Sequence, residues 1–154
     1  MRLYLVQHGE AKSKEEDPER PLAEKGRKEV SKIARFLNEH TDVRPVAIHH
    51  SGKTRAQETA VMLAETISPR QGVSEADGLN PLDDPGIWAD RLSTADHDTM
   101  LVGHLPHLEK LAGRLLCGDE ERPVVAFRMG GVVCLTRDET GHWSLAWMLV
   151  PEIV

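Results

Sequence analysis

The stretch LVQHGEA, residues 5 to 11, decides how the chain is read. It continues Leu3-Tyr4, so a short apolar run from Leu3 to Val6 stops abruptly at Gln7, His8 and Gly9. An unbroken apolar run of that length, closed by a glycine, fits a strand buried on both faces. Such a strand ending in an imidazole places chemistry, rather than packing, at its carboxyl end. Two further runs repeat the pattern. Pro45-Val46-Ala47-Ile48 leads into His49-His50-Ser51, and Thr99-Met100-Leu101-Val102 leads into Gly103-His104.

Amphipathic segments fill the gaps. Val30, Ile33, Ala34 and Leu37 fall at i, i+3, i+4 and i+7 and predict one helix. Ala56, Ala60, Leu63, Ala64 and Ile67 predict a second, ended by Pro69. Leu108, Leu111, Ala112, Leu115 and Leu116 predict a third, with Pro106 near its start and Gly118 just past its end. A weaker helix is expected over about Pro85 to Leu92. Toward the C-terminus Val124–Phe127, Gly131–Leu135 and Trp143–Val150 follow each other closely, with turn signals at Gly130-Gly131 and Asp138–Gly141. That spacing predicts antiparallel strands. Alternating strands and helices predict an α/β three-layer sandwich, a mainly parallel central sheet with helices on both faces, as a single domain over residues 1–154.

Composition narrows the function. The 19 basic and 25 acidic residues leave a formal net charge of −6. A general nucleic-acid or anionic-membrane binder would want a basic field, so neither partner is expected; a small positive pocket remains compatible. Cys117 and Cys134 are too few for a disulfide framework, are not spaced as a metal pair, and read as small buried apolar residues. No apolar stretch approaches the roughly 20 residues that span a bilayer. Met1 opens directly into RLYLV rather than a leader, and the expectation is a cytoplasmic protein.

Ligands of open α/β sheets bind beyond the carboxyl ends of the strands, so the histidines after three strands are expected to converge. The segment SGKTRAQET, residues 51 to 59, leads into the second helix. Thr54 and Gln57 have capping-box spacing, and Arg55 falls at a helix N-terminus suited to an anion. Gly52-Lys53-Thr54 imitates the tail of a P-loop, but the first glycine of that motif would fall at residue 47, which is Ala. There is no HExxH, aspartate cluster or cysteine set, so neither a metal nor a cofactor is expected. Imidazoles and a guanidinium around an oxyanion remain. A neutral, oriented imidazole is a nucleophile toward phosphorus, and cations stabilise the transferring group. Lys12–Pro21 and Gly78–Gly86 are candidate loops over this site.

Four motifs occur in order: Gln7-His8-Gly9 with Glu10-Ala11; Arg20-Pro21-Leu22 with Gly26; Ser51-Gly52 with Arg55-Ala56 and Thr59; and Gly103-His104-Leu105-Pro106. Together they resemble the histidine phosphatase superfamily, which includes cofactor-dependent phosphoglycerate mutase, and most of all its small SixA-type phosphohistidine phosphatases. The resemblance implies a phosphoglycerate-mutase-like fold. It implies that His8 is the nucleophile, transiently phosphorylated, and that Arg55 and His104 are catalytic groups that bind phosphate together with Gln7 and Gly9. It further implies a metal-independent hydrolase acting on a phosphorylated protein, such as a histidine-containing phosphotransfer protein.

Two positions depart from the family pattern: Gly52 replaces a proline, and Gln7 replaces an arginine. Arginine offers fixed charge and a bidentate fork; glutamine keeps donors only. A hydrogen bond to a charged group is worth roughly 1.5–3 kcal/mol, so its loss slows turnover about ten- to a hundredfold. Lys53, Arg20 and Arg128 are the cations available to substitute. Two other functions stay open: a phosphate- or phosphoprotein-binding module silenced by Gln7, and a small-molecule phosphomonoesterase. A phosphate ester leaves as a poor alkoxide and needs a placed acid, whereas phosphohistidine leaves as a near-neutral imidazole. None of Glu10, Asp17, Asp83 and Asp84 is marked as that acid by spacing.

Overall fold

Leu3, Tyr4, Leu5 and Val6 are all fully buried, and the reason is their strand's central place in the sheet. The computed structural model describes residues 1–154. In chain order the elements are β1 (Arg2–Gln7), α1 (Glu24–His40), β2 (Ala47–His50), α2 (Thr54–Ile67), β3 (Val73–Glu75), α3 (Gly86–Thr94), β4 (Thr99–Gly103), α4 (His107–Cys117), β5 (Val132–Arg137) and β6 (Trp143–Leu149). The strands form one six-stranded sheet in the order β3-β2-β4-β1-β5-β6. β1 lies parallel to β4, with Gln7 opposite Gly103, and antiparallel to β5, with Leu3 opposite Leu135.

The sheet is therefore mixed, and the parallel character expected of it is confined to β3, β2, β4 and β1. β5 and β6 run as an antiparallel pair because the short turn around Asp138–Gly141 can join strands only that way. Alternate residues of β1 enter different apolar clusters, as the pleat requires. Tyr4 and Val6 pack with Ile33 and Leu37 of α1 and Ala60 and Leu63 of α2. Leu3 and Leu5 pack with Trp88 and Leu92 of α3 and Leu108 and Leu111 of α4. Each fully buried Leu contributes roughly 1.5–3 kcal/mol by leaving water.

Several local expectations are revised. Val124–Phe127 forms no strand. Val125 and Phe127 are buried against the second cluster, so the alternation reflects an extended loop laid on side chains, without a ladder partner. The short edge strand β3 has no apolar alternation to reveal it. The capping box is absent: the N-cap of α2 is Lys53, with no side-chain cap, because Gly52 turns the chain at φ +89° one residue earlier. Cys134 is buried as expected, but Cys117, the last residue of α4, is exposed.

Candidate active site

β1 and β4 end side by side, and this brings their terminal histidines together. The His8 amide donates to the Gly103 carbonyl at 3.1 Å, and the Gly130 amide donates to the Gln7 and His8 carbonyls at 2.9 and 3.2 Å. The His8 and His104 rings lie 5.0 Å apart between centroids, tilted by 53°. His8 Nδ1 donates to the Gly9 carbonyl at 2.7 Å. A carbonyl only accepts, so Nδ1 carries the proton and Nε2 holds the lone pair. Arg55 Nε donates to that Nε2 at 3.3 Å.

Two hydroxyl side chains and two glycines hold this constellation in place. Ser51 Oγ and His104 Nε2 share a hydrogen bond of 2.6 Å. Thr59 Oγ1 accepts from the Gly9 amide at 3.0 Å and donates to the Arg55 carbonyl at 2.8 Å, locking α2 to the residue after the nucleophile candidate. Gly9 itself has no positive φ; its lack of a side chain is required by crowding. A Cβ there would come within 2.9 Å of Val30 Cγ2 and 3.1 Å of Leu22 Cδ2. Gly26 faces the Glu10 backbone in the same way, so two glycines let α1 press against the site loop.

Burial keeps both imidazoles neutral. It pushes His8 down to about 4, with the Arg55 and Arg20 charges adding to the effect. It pushes His104 down to about 3, helped by His8, Arg55 and Lys53. His104 Nδ1 has no partner. The adjoining cleft holds about 430 Å³ and is walled by Lys14, Pro18, Glu19 and Arg20 from the loop after β1, by Gly52 to Arg55 from the β2–α2 turn, and by Pro81. Arg55 is both a wall of this cleft and the donor to His8.

Not every expected group arrives. Of the expected site residues only Arg55 is among the walls of the cleft; Gln7, His8, Gly9 and His104 are not, and the two histidines join the cleft through Arg55. His49 lies inside β2 rather than beyond it, and its ring faces Trp88 at 5.5 Å and Ser74 Oγ at 2.9 Å. The pleat sends neighbours to opposite faces, so consecutive histidines could not both reach the site. Glu10 pairs with Lys25 at 3.6 Å, while Asp83 and Asp84 accept from the Asn80 and Gly86 amides at 2.9 and 2.8 Å. The carboxylate that does line the cleft, Glu19, carries no spacing signal in the sequence. Arg128 donates to the Phe127 carbonyl at 3.2 Å and lines no part of the cleft.

The family model of the histidine phosphatase superfamily (branch 1) matches residues 3–115. The chain belongs to that superfamily. This histidine phosphatase superfamily member is similar in structure to the protein histidine phosphatase SixA complexed with tungstate, with a TM-score of 0.83, 22% identity and coverage of 98% of this chain and 97% of the other. It is also similar to the alpha-ribazole phosphatase from Shigella flexneri (TM-score 0.79, 18% identity, 98% and 97% covered). A mycobacterial glucosyl-3-phosphoglycerate phosphatase complexed with VO3 matches at a TM-score of 0.74 and 17% identity, with 95% and 97% covered. No curated protein sequence matches the chain. At these identities the likeness is one of fold: an α/β fold with a six-stranded mixed sheet and four helices. No helix is long and apolar enough to cross a membrane.

Proposed function

We propose that the protein is a phosphatase that works through a phosphohistidine at His8, with protein phosphohistidine as its substrate. The observation that carries this reading is the orientation of one ring: His8 Nδ1 is committed to the Gly9 carbonyl, and the unprotonated Nε2 meets Arg55. Nε2 attacks phosphorus, and the bond from phosphorus to the substrate nitrogen breaks. The departing imidazole takes a proton from solvent. Water then attacks the phosphorus on His8, loses its proton, and restores the free ring. Arg55 and His104 hold the transferring oxygens, and Arg55 exchanges its bond to Nε2 for one to phosphate.

Arg20 supplies the charge that Gln7 lacks. Its Nε donates to the Lys12 carbonyl at 3.0 Å, its terminal nitrogens have no protein partner, and its charge acts on both His8 and Arg55. The backbone at Arg20 adopts φ +50°, a strained conformation for a residue with a side chain, and such strain persists where the surroundings over-determine it. The SixA likeness and the turn-bound carboxylates both favour a leaving group that needs no acid. Glu19 on the cleft wall favours a second reading, a small-ester phosphatase with Glu19 as proton donor.

The test is a chase on a phosphohistidine protein and on an aryl phosphate. Trapped label on His8 and loss of turnover in Arg20→Gln by about ten- to a hundredfold are expected. Phosphate binding with no trapped label would convert the assignment to a binding module. A Glu19→Gln variant crippled only on the ester would favour the second reading. Gln7→Arg is expected to gain less than about tenfold, because Arg20 already serves.

A further inference from the structure

Four cations, Lys14, Arg20, Lys53 and Arg55, line one cleft in a protein whose formal net charge is −6. None of the four is in an ion pair, although Arg27, Lys28 and Arg114 elsewhere on the surface each have a carboxylate within 3.1 Å. Glu19 shares the cleft and pairs with none of them. Four like charges gathered around a single carboxylate repel one another, and an anionic ligand reduces that repulsion. One phosphoryl group, held by Arg55 and Arg20 next to His8, leaves two of the four cations without a role.

The lining points the same way. Apart from two prolines and a glycine it is polar, so the cleft offers little to an apolar leaving group. Its size, about 430 Å³, exceeds what a single phosphoryl group fills. Lys14 comes from the loop after β1 and Lys53 from the N-cap of α2, so the two lysines reach the cleft wall from different elements. The basic stretch on α1 (Arg27, Lys28, Lys32) makes a weaker case, because Arg27 and Lys28 are already paired with Glu58 and Glu24.

We propose that Lys14 and Lys53 form a subsite for a second anionic group, so that the preferred substrate carries a carboxylate or further phosphate close to its scissile phosphoryl group. This rests on the phosphatase reading for its catalytic consequence, but its binding consequence stands alone. In a protein substrate the group is an acidic side chain beside the phosphohistidine; in a small molecule it is a second acid on the same skeleton.

The binding arm compares pyrophosphate with inorganic phosphate by calorimetry at low salt. Pyrophosphate is expected to bind about tenfold tighter, with the gap closing in the Lys14→Gln/Lys53→Gln variant and shrinking in high salt. Equal affinities, or a gap that survives the double variant, would overturn the subsite. The kinetic arm compares phosphohistidine peptides flanked by Glu or by Gln, and 3-phosphoglycerate with glycerol phosphate. The subsite predicts a kcat/KM ratio of about ten or more within at least one pair, falling toward one in the double variant. The pair showing it identifies the source. Turnover of both pairs without discrimination would sink the subsite and leave the phosphatase standing. Tight pyrophosphate binding with no turnover would do the reverse.

Discussion

In the β5–β6 hairpin, Val132, Val133, Cys134 and Leu135 are fully buried, and their strand is paired on one side with β1 and on the other with β6. At the carboxyl ends of β1 and β4 the rules invert. His104 and His107 are buried to within 2% with ring nitrogens that find no partner, Arg20 sits at positive φ, and unpaired cations share a cleft. A buried polar group without a hydrogen bond costs roughly 1–3 kcal/mol, so this end is destabilised relative to the hairpin. The contrast teaches where the molecule's stability is made and where it is given up. The two ends meet in β1, whose apolar residues belong to one rule and whose His8 follows the other.

The largest effect separates the two ends outright. His8→Ala is expected to reduce phosphoramidate turnover by about a thousandfold or more and abolish labelling of the protein, while the urea midpoint barely moves. Equal losses of activity and stability would mean the site is part of the structural core.

The converse variant, Leu5→Ala, removes a fully buried side chain from the same strand. It is expected to cost about 2–5 kcal/mol in urea unfolding, with turnover per folded molecule retained. Lost turnover in the folded fraction would show that the core tunes His8.

Gly26→Ala tests the seam between the regions. The added methyl would meet the Glu10 backbone, so about 1–3 kcal/mol of destabilisation is expected, together with a fall in kcat because Glu10 is two residues from His8. A purely stability-linked variant would leave kcat alone.

The gentlest probe is pH. Burial holds His8 near 4 against an ordinary 6.5. The unfolded chain therefore binds more protons below about 6.5, and the stabilisation present above that pH is lost as pH falls toward 4. kcat/KM is expected to stay level from neutrality to about pH 5 and to be halved near 4. An acid limb near 6.5 would place His8 in water.

Much of this was legible in the chain. The strands β1, β2 and β4 announce themselves because burial on both faces leaves no room for polar residues. The helices announce themselves because one apolar stripe at a 3.6-residue period has to face the sheet. The spacing of Thr54 and Gln57 predicts a capping box, whereas a single positive φ at Gly52 moves the cap of α2 to Lys53. Glu19 and Lys14 were missed because a loop's polar residues carry no period, and only closure of the 12–21 segment, through the Lys12 amide on the Pro21 carbonyl at 2.8 Å, swings them over the cleft.

By itself the order of residues determined that β1 and β4 are buried and lead into an imidazole, because this follows from composition over a few neighbouring positions, and the resemblance to the family added that Gln7 stands where that pattern has an arginine. Only the folded chain decided which histidine packs its ring beside that of His8 and which is turned away. It also decided which nitrogen of that ring is free, and that Arg20 rather than Arg128 comes near. Those outcomes depend on strand order, pleat direction and loop closure, which join residues dozens of positions apart and leave no local mark.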